Sequence, residues 1–180
     1  MLHHKGTQPI TTQRLVLRRF TVEDAQEAYA KWTSDDETQF WEPPHTCMAE
    51  TERMIQEYVR QYDQMDWYMW AVMLENELIG LVCGNEINEA IKSICIGYCI
   101  AKPWWNQGIA TEASRAMIAY FFDMDFNRVF SYHNPLNPAS GKVMEKCGMT
   151  FEGRIRGGSM CNGDICDCLQ YSRLRTDIVR

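Results

Sequence analysis

After an apolar run that ends at Ile100, the chain reads Pro103-Trp104-Trp105-Asn106-Gln107-Gly108-Ile109-Ala110-Thr111-Glu112, and a helical periodicity then begins. Gly108 lets the backbone turn sharply, and Ala110 keeps side-chain bulk away from anything that approaches. The first amides of the following helix point outward at the positive end of its dipole, an arrangement that suits a phosphate. A tight strand-to-helix turn that holds no ligand accounts for the same residues equally well. Neither a Gly-x-x-x-x-Gly-Lys-Ser/Thr loop nor a Gly-x-Gly-x-x-Gly dinucleotide pattern is present. Trp104 and Trp105 read as apolar packing that fixes where the strand ends. Glu112 suits the helix dipole but would oppose a phosphate, so its carboxylate is expected to turn away.

A second helix start lies at Asn137-Pro138-Ala139-Ser140. Asn137 is a good N-cap, Pro138 suits the first turn, and Gly148 closes the helix. Eight cysteines are present. Cys83, Cys95, Cys99 and Cys147 lie in apolar runs, where a thiol acts as a small hydrophobe. Cys161, Cys166 and Cys168 offer neither a paired Cys-x-x-Cys nor a nearby histidine, so no metal site is expected. Reduced thiols and a cytoplasmic location are the expectation, because the N-terminus lacks an apolar stretch that could serve as an export signal.

These residues need a framework, and the composition supplies one. Over 180 residues, 46% are hydrophobic and 23% charged, as in one ordinary globular domain. A net charge of −6 argues against a nucleic-acid partner and is compatible with a cationic substrate. No apolar run is long enough to span a membrane. Residues 1–10 are expected as a flexible lead-in, and 11–180 as a single domain.

Alternation predicts a strand at 14–20, followed by a helix from Thr21 to about Trp32. Met54, Ile55, Tyr58, Val59 and Tyr62 mark a second helix. Strands at 67–74 and 78–85 read as a hairpin, and 91–100 as a third strand. Ile109, Ala113, Ala116, Met117, Tyr120, Phe121 and Met124 trace one helix face. A short strand at 128–133, the helix after Asn137, and strands at 149–157 and 166–174 complete the order β-α-α-β-β-β-α-β-α-β-β. That order is an α/β fold, a mixed sheet flanked by helices.

The stretch Ile96–Ala113, "IGYCIAKPWWNQGIATEA", resembles the acetyl-CoA signature of the GNAT acyltransferases, whose pyrophosphate loop reads Arg/Gln-x-x-Gly-x-Gly/Ala. Trp105 replaces the first Arg/Gln, as in the RimJ/RimL-like branch of ribosomal-protein N-terminal acetyltransferases. "TQRLVLRRFTVEDA" resembles the opening strand and helix of that branch. "NPLNPASGKVMEKCGMTFEGRIR" resembles its Asn-x-x-Ser segment, with Met149 where phenylalanine is usual. The likeness runs from about residue 11 to 174. It implies a central sheet of about seven strands with about four helices, and acetyl-CoA as co-substrate without a metal.

The resemblance also implies roles. The loop Asn106, Gln107, Gly108, Ile109, Ala110 and Thr111 would hold the pyrophosphate of acetyl-CoA. The two central parallel strands, at about 94–101 and 128–133, would splay apart around the thioester, with backbone amides near Tyr98, Cys99 and Ile100 binding its carbonyl. Asn137 would meet the pantetheine arm, and Ser140 would lie near the sulfur. Tyr171 is the competing proton donor, since a phenol is a better acid than serine. Glu86, at a strand end, is the candidate general base, although a solvated carboxylate before a turn fits it as well. A protein α-amine is far more easily deprotonated than a lysine, so an N-terminal acetyltransferase could work with a water chain. Trp41, Glu42 and His45 are candidates for the acceptor side. The expected acceptor is a protein N-terminal amine; a small amine such as a polyamine or aminoglycoside is the alternative, and a non-catalytic acyl-CoA sensor the third reading. A homodimer is possible.

Overall fold

In this computed structural model the described residues are 2–36, Thr38 and 43–177. Strands β1 (Ile10–Thr11), β2 (Leu15–Arg18), β3 (Tyr68–Leu74), β4 (Glu77–Asn88), β5 (Ser93–Ile100), β6 (Arg128–His133), β7 (Thr150–Cys161) and β8 (Asp164–Leu174) form one mixed sheet. Its order is β1-β2-β3-β4-β5-β6-β8-β7. The helices are α1 (Ala25–Ala28), α2 (Met48–Gln61), α3 (Ile109–Asp123) and α4 (Pro138–Lys146), and short helical turns extend α1 over residues 22–33. Eight strands replace the expected seven; the addition is the two-residue β1.

All neighbours pair antiparallel except β5 and β6, whose connection is the crossover through α3. Helices cover both faces, so there are two cores. One gathers Trp70, Ile94, Ile96, Met117, Phe121, Phe126 and Met144 beneath α3 and α4. The other gathers Trp32, Ile55, Met69, Leu78 and Cys99 beneath α1 and α2. Both come from strand alternation, which sends successive side chains to opposite faces. Thr21 caps the first helical stretch as expected: its N–H donates to Asp24 Oδ2 at 2.8 Å, and Asp24 receives a two-pronged ion pair from Arg18.

The lead-in expected to be loose is packed. Leu2 is 6% exposed within the α3-side core, Thr7 Oγ1 donates to Trp67 O, and the Gly6 amide donates to Met65 O. The last hairpin is longer than its alternation indicates. Asn162 and Gly163 both take positive φ at its tip, the two-residue turn that an Asn-Gly pair favours. β7 therefore runs to Cys161 rather than stopping at 157, and its far end reaches the functional cleft. Across this turn Cys161 and Cys166 form a disulfide, which corrects the expectation of reduced thiols throughout.

Candidate active site

Parallel pairing of β5 with β6 covers only Ser93–Cys95 against Arg128–Phe130. Beyond it β5 continues to Ile100 and β6 to His133, each still paired on its outer side, to β4 and to β8. A gap therefore opens between two strands that stay ordered. Alternation determines which amides face it. Ser131 Oγ donates to Ile96 O, and the Ala101 amide donates to Ile79 O on β4. The backbone of Ile96, Tyr98 and Ile100 consequently points into the gap, while that of Cys99 and Ala101 points to β4. Of the three residues expected to bind a carbonyl, Tyr98 and Ile100 offer amides there; Cys99 contributes wall.

The gap widens into a cleft of about 500 Å³. One end is the start of α3. Gly108 has φ +76 and is the residue before the helix, so no side chain caps the amides of Ile109, Ala110 and Thr111. The start of α4 differs, because Asn137 Oδ1 accepts from the Ser140 amide at 3.3 Å. Two helices thus begin at the cleft, one closed by its own side chain and one open to an external anion. Asn106, at φ +60, Gly108, Ile109, Ala110 and Thr111 line the cleft. Gln107 does not: its side chain donates back to Pro103 O, and its carbonyl accepts from Arg14.

Glu112 turns away as expected. It accepts from Thr12 Oγ1 at 2.6 Å and from the backbone and side chain of Arg14. Partial burial opposes its ionisation, but these bonds outweigh burial and hold its pKa below the usual value. Trp105 fixes the strand end through a bond as well as by packing: its indole N–H donates to Ile100 O, and the ring stays 37% exposed. Trp104 packs between the two cores with Lys31 over its ring.

At the other end Tyr98 and Ser140 meet. The phenol donates to Ser140 O at 2.8 Å and lies 2.8 Å from Ser140 Oγ. Burial raises the Tyr98 pKa well above that of an ordinary phenol, and the bond to Ser140 only partly offsets this. The pair therefore stays neutral and can pass a proton without carrying charge. Tyr171 does not join it. It is 8% exposed in the core beneath α4, packed against His133 and Phe151, and it does not line the cleft. Burial, and then the neighbouring Glu145 carboxylate, raise its pKa. Glu86 is exposed at a bulge in β4, with φ +48, and is linked to the cleft indirectly: Tyr132 lines the wall and donates to Glu86 Oε1 at 2.7 Å.

Tyr132, His133 and the tip of the β7–β8 hairpin line the cleft and escaped the sequence reading. His133 ends β6 on the wall, 7% exposed. Its Nδ1–H donates to Asn134 O, since a carbonyl can only accept, and this leaves Nε2 as a buried acceptor without a partner. The ring presses against α4 so closely that a Cβ on Gly141 would stand 2.7 Å from Nε2. Asn134 Nδ2 donates to Cys161 Sγ and ties the hairpin tip, with Ser159 and Met160, to the cleft wall. The position of Tyr132 and His133 at the end of a strand beside the crossover was the one available signal. Burial pushes Cys83 and Cys147 up to about 11 and Cys99 to about 12, so these thiols are poor nucleophiles. His45 is held in the turn before α2, with Nδ1 2.7 Å from Thr51 Oγ1; Trp41 and Glu42 lie outside the described residues.

Residues 14–150 match the acetyltransferase (GNAT) domain family. YdaF of Bacillus subtilis strain 168, named as a candidate ribosomal N-acetyltransferase, is 29% identical over 153 residues, 84% of this chain and 81% of its own. A GNAT-family acetyltransferase from Bacillus anthracis superposes with a TM-score of 0.82 at 25% identity, covering 94% of this chain and 100% of that one. RimL, a ribosomal L7/L12 alpha-N-protein acetyltransferase solved with coenzyme A, has the same fold at a TM-score of 0.81 and 23% identity, covering 93% and 98%.

Proposed function

The chain belongs to the GNAT acetyltransferase family, in its RimJ/RimL-like branch, and we propose that it transfers the acetyl group of acetyl-CoA to the α-amine of a protein N-terminus. The observation that carries this reading is the gap between β5 and β6 with an uncapped helix start at one end and a neutral Tyr98–Ser140 pair at the other. A pyrophosphate fits the amides of Ile109, Ala110 and Thr111. A thioester arm fits along the open side of β5, where the Tyr98 and Ile100 amides can stabilise the oxygen that becomes negative during attack.

Acyl transfer then needs a neutral amine, a held oxyanion and a proton for the departing thiolate. The attacking nitrogen forms the new bond to the carbonyl carbon, and the C–S bond breaks as the intermediate collapses. Ser140 Oγ donates a proton to the leaving sulfur as it takes one from the Tyr98 hydroxyl, and Tyr98 in turn regains a proton from the solvent of the open cleft, so the pair ends neutral. Excess protons from the amine leave along the wall through Tyr132 to Glu86. Asn137 fixes the first turn of α4 and so fixes Ser140. Among the described residues Glu86 is reached only through Tyr132, an arrangement that suits an α-amine, which is about half deprotonated near pH 7.7–8.0, better than a lysine near pKa ~10.4. The name of RimL, an alpha-N-protein acetyltransferase, supports the same acceptor, and that of YdaF supports a ribosomal one.

The test is incubation with acetyl-CoA and three separate acceptor pools: peptides with free N-termini and blocked lysines, polyamines, and aminoglycosides. Mass spectrometry reads the added acetyl group. Transfer to the peptides is expected; transfer only to the small amines overturns the acceptor assignment.

A further inference from the structure

β6 pairs with β8 only as far as His133 opposite Leu169, so residues 164–168 of β8 and their β7 partners run past the end of β6 as a two-stranded ribbon. A register shift between Ile155 and Ser159 interrupts the ladder, and beyond it the tip keeps the pairs Ser159–Cys166, Met160–Ile165 and Cys161–Asp164. Asp167 accepts from Arg154 and from the Gly157 amide, which braces the bulge rather than the tip. None of residues 156–166 belongs to either core, and Met160 and Ile165 are 50% and 77% exposed. A two-stranded ribbon by itself is marginal in water. This one nevertheless reaches the cleft, where Ser159, Met160 and Cys161 line the wall. Two fastenings hold it there: the Cys161–Cys166 disulfide closes the ribbon on itself, and Asn134 Nδ2 donates to Cys161 Sγ.

Both cysteines of the bridge are half-buried, so a small thiol can reach them. Asn134 also sets the start of α4: its carbonyl accepts from the Asn137 amide and its Oδ1 from the Leu136 amide, both at 2.8 Å. These bonds involve no sulfur, and the open amides of α3 lie on another element, so neither depends on the bridge. With the pyrophosphate at α3 and the thioester along β5, the wall beyond the end of β6 is left for the acceptor. We propose that the Cys161–Cys166 disulfide is a redox switch of acetyl transfer: closed, it holds the hairpin tip against the cleft as part of the acceptor's wall; opened by a dithiol, it frees the tip and weakens acceptor binding while coenzyme A binding is kept. One thiolate of the dithiol attacks a protein sulfur, the S–S bond breaks, and the other protein sulfur leaves and takes a proton. The second thiol then resolves the mixed disulfide, so the protein gains two electrons and two protons and the dithiol becomes a disulfide. The inference rests on the acetyl-transfer reading above and adds a control to the same cleft.

The wild type and C161S/C166S, each with and without dithiothreitol, are compared by thiol alkylation with mass spectrometry, hydrogen–deuterium exchange, coenzyme A titration and acetylation of peptides with free N-termini. Dithiothreitol should make Cys161 and Cys166 of the wild type alkylatable and speed amide exchange at the hairpin tip by about tenfold. KM for the peptide should rise by a similar factor, while coenzyme A affinity and exchange in α3 and α4 stay the same. Reoxidation should reverse these changes, and C161S/C166S should give the reduced values under both conditions. Alkylation of Cys161 and Cys166 before treatment, or their resistance to the dithiol, overturns the proposal. Equal peptide KM in the two redox states overturns it, and so does an equal loss of affinity for coenzyme A and peptide. If coenzyme A binds and no peptide is acetylated in either state, the acceptor reading fails and tip exchange decides the switch: faster exchange on reduction upholds it, and unchanged exchange overturns it.

Discussion

Replacing Gly141 with alanine tests whether α4 is seated on His133. Gly141 has an ordinary helical backbone, so by propensity alone alanine should stabilise the helix by about 1 kcal/mol. The structure reverses that sign. The new Cβ would lie 2.7 Å from His133 Nε2 and 3.2 Å from Cε1, closer than real contacts allow. The imidazole cannot swing away freely, because it is 7% exposed, its Nδ1–H is engaged with Asn134 O, and Tyr171 packs on its other side. Overpacking of this kind costs about 1–3 kcal/mol, which leaves G141A less stable by about 1 kcal/mol after the propensity gain. For a chain of this length, that lowers the melting temperature by about 2–4 °C. In an H133A background the obstruction is gone, and the same substitution should stabilise by up to about 1 kcal/mol. Urea denaturation of wild type, G141A, H133A and the double variant closes the cycle. An effect of G141A that has the same sign in both backgrounds refutes the packing argument. Because Ser140 precedes Gly141, G141A should also lower kcat more than it raises KM for acetyl-CoA.

Three other expectations follow from the same geometry. S140A and Y98F should each lower kcat by about 100-fold or more with little change in KM, the size of a lost proton donor, whereas Y171F should keep kcat within about twofold; steady-state kinetics that rank Y171F lowest would restore Tyr171 as the acid. E112Q should destabilise by about 1 kcal/mol at neutral pH. The Glu112 pKa is depressed in the folded chain, so its contribution is present above the usual carboxylate pKa and is lost as pH falls through the folded value; melts of E112Q and wild type should therefore converge as the pH is taken below the usual carboxylate range. G108A places a side chain at φ +76 with only Arg14 nearby at 3.7 Å, so strain of about 1 kcal/mol appears in a melt without a steric clash; a variant as stable as wild type would show that the left-handed turn is not required.

Much of the fold was legible because its signals are local. Alternation located β2, apolar runs joined by a short turn located β3 and β4, further apolar runs located β5 and β6, and helical periodicity located α2 and α3. Gly108, Asn137, Pro138 and Gly148 marked helix ends within a residue or two, since caps and left-handed turns depend on a few neighbouring residues. The Asn162–Gly163 turn was equally local, yet β7 was ended too early because its exposed half lacks clear alternation. Residue types at the α3 start gave the candidate anion site, and the repulsion between a carboxylate and a phosphate gave the outward turn of Glu112.

What the sequence left open depends on contacts between distant residues. Pairing between β5 and β6 stops at Cys95 and Phe130, and no local pattern encodes where two strands part. Tyr98 reaches Ser140 across 42 positions, and Tyr132 reaches Glu86 across 46. The approach of a remote helix, not strand alternation, buried Tyr171 and left Tyr98 in the cleft. The disulfide depended on the hairpin turn that brings Cys161 back to Cys166, which a cytosolic prior on thiols overrode. The sequence by itself determined the elements, most of their ends and the uncapped start of α3, because each is set by backbone preferences over a few residues. Only the tertiary structure decided which side chains share the cleft, because that follows from sheet order and helix packing.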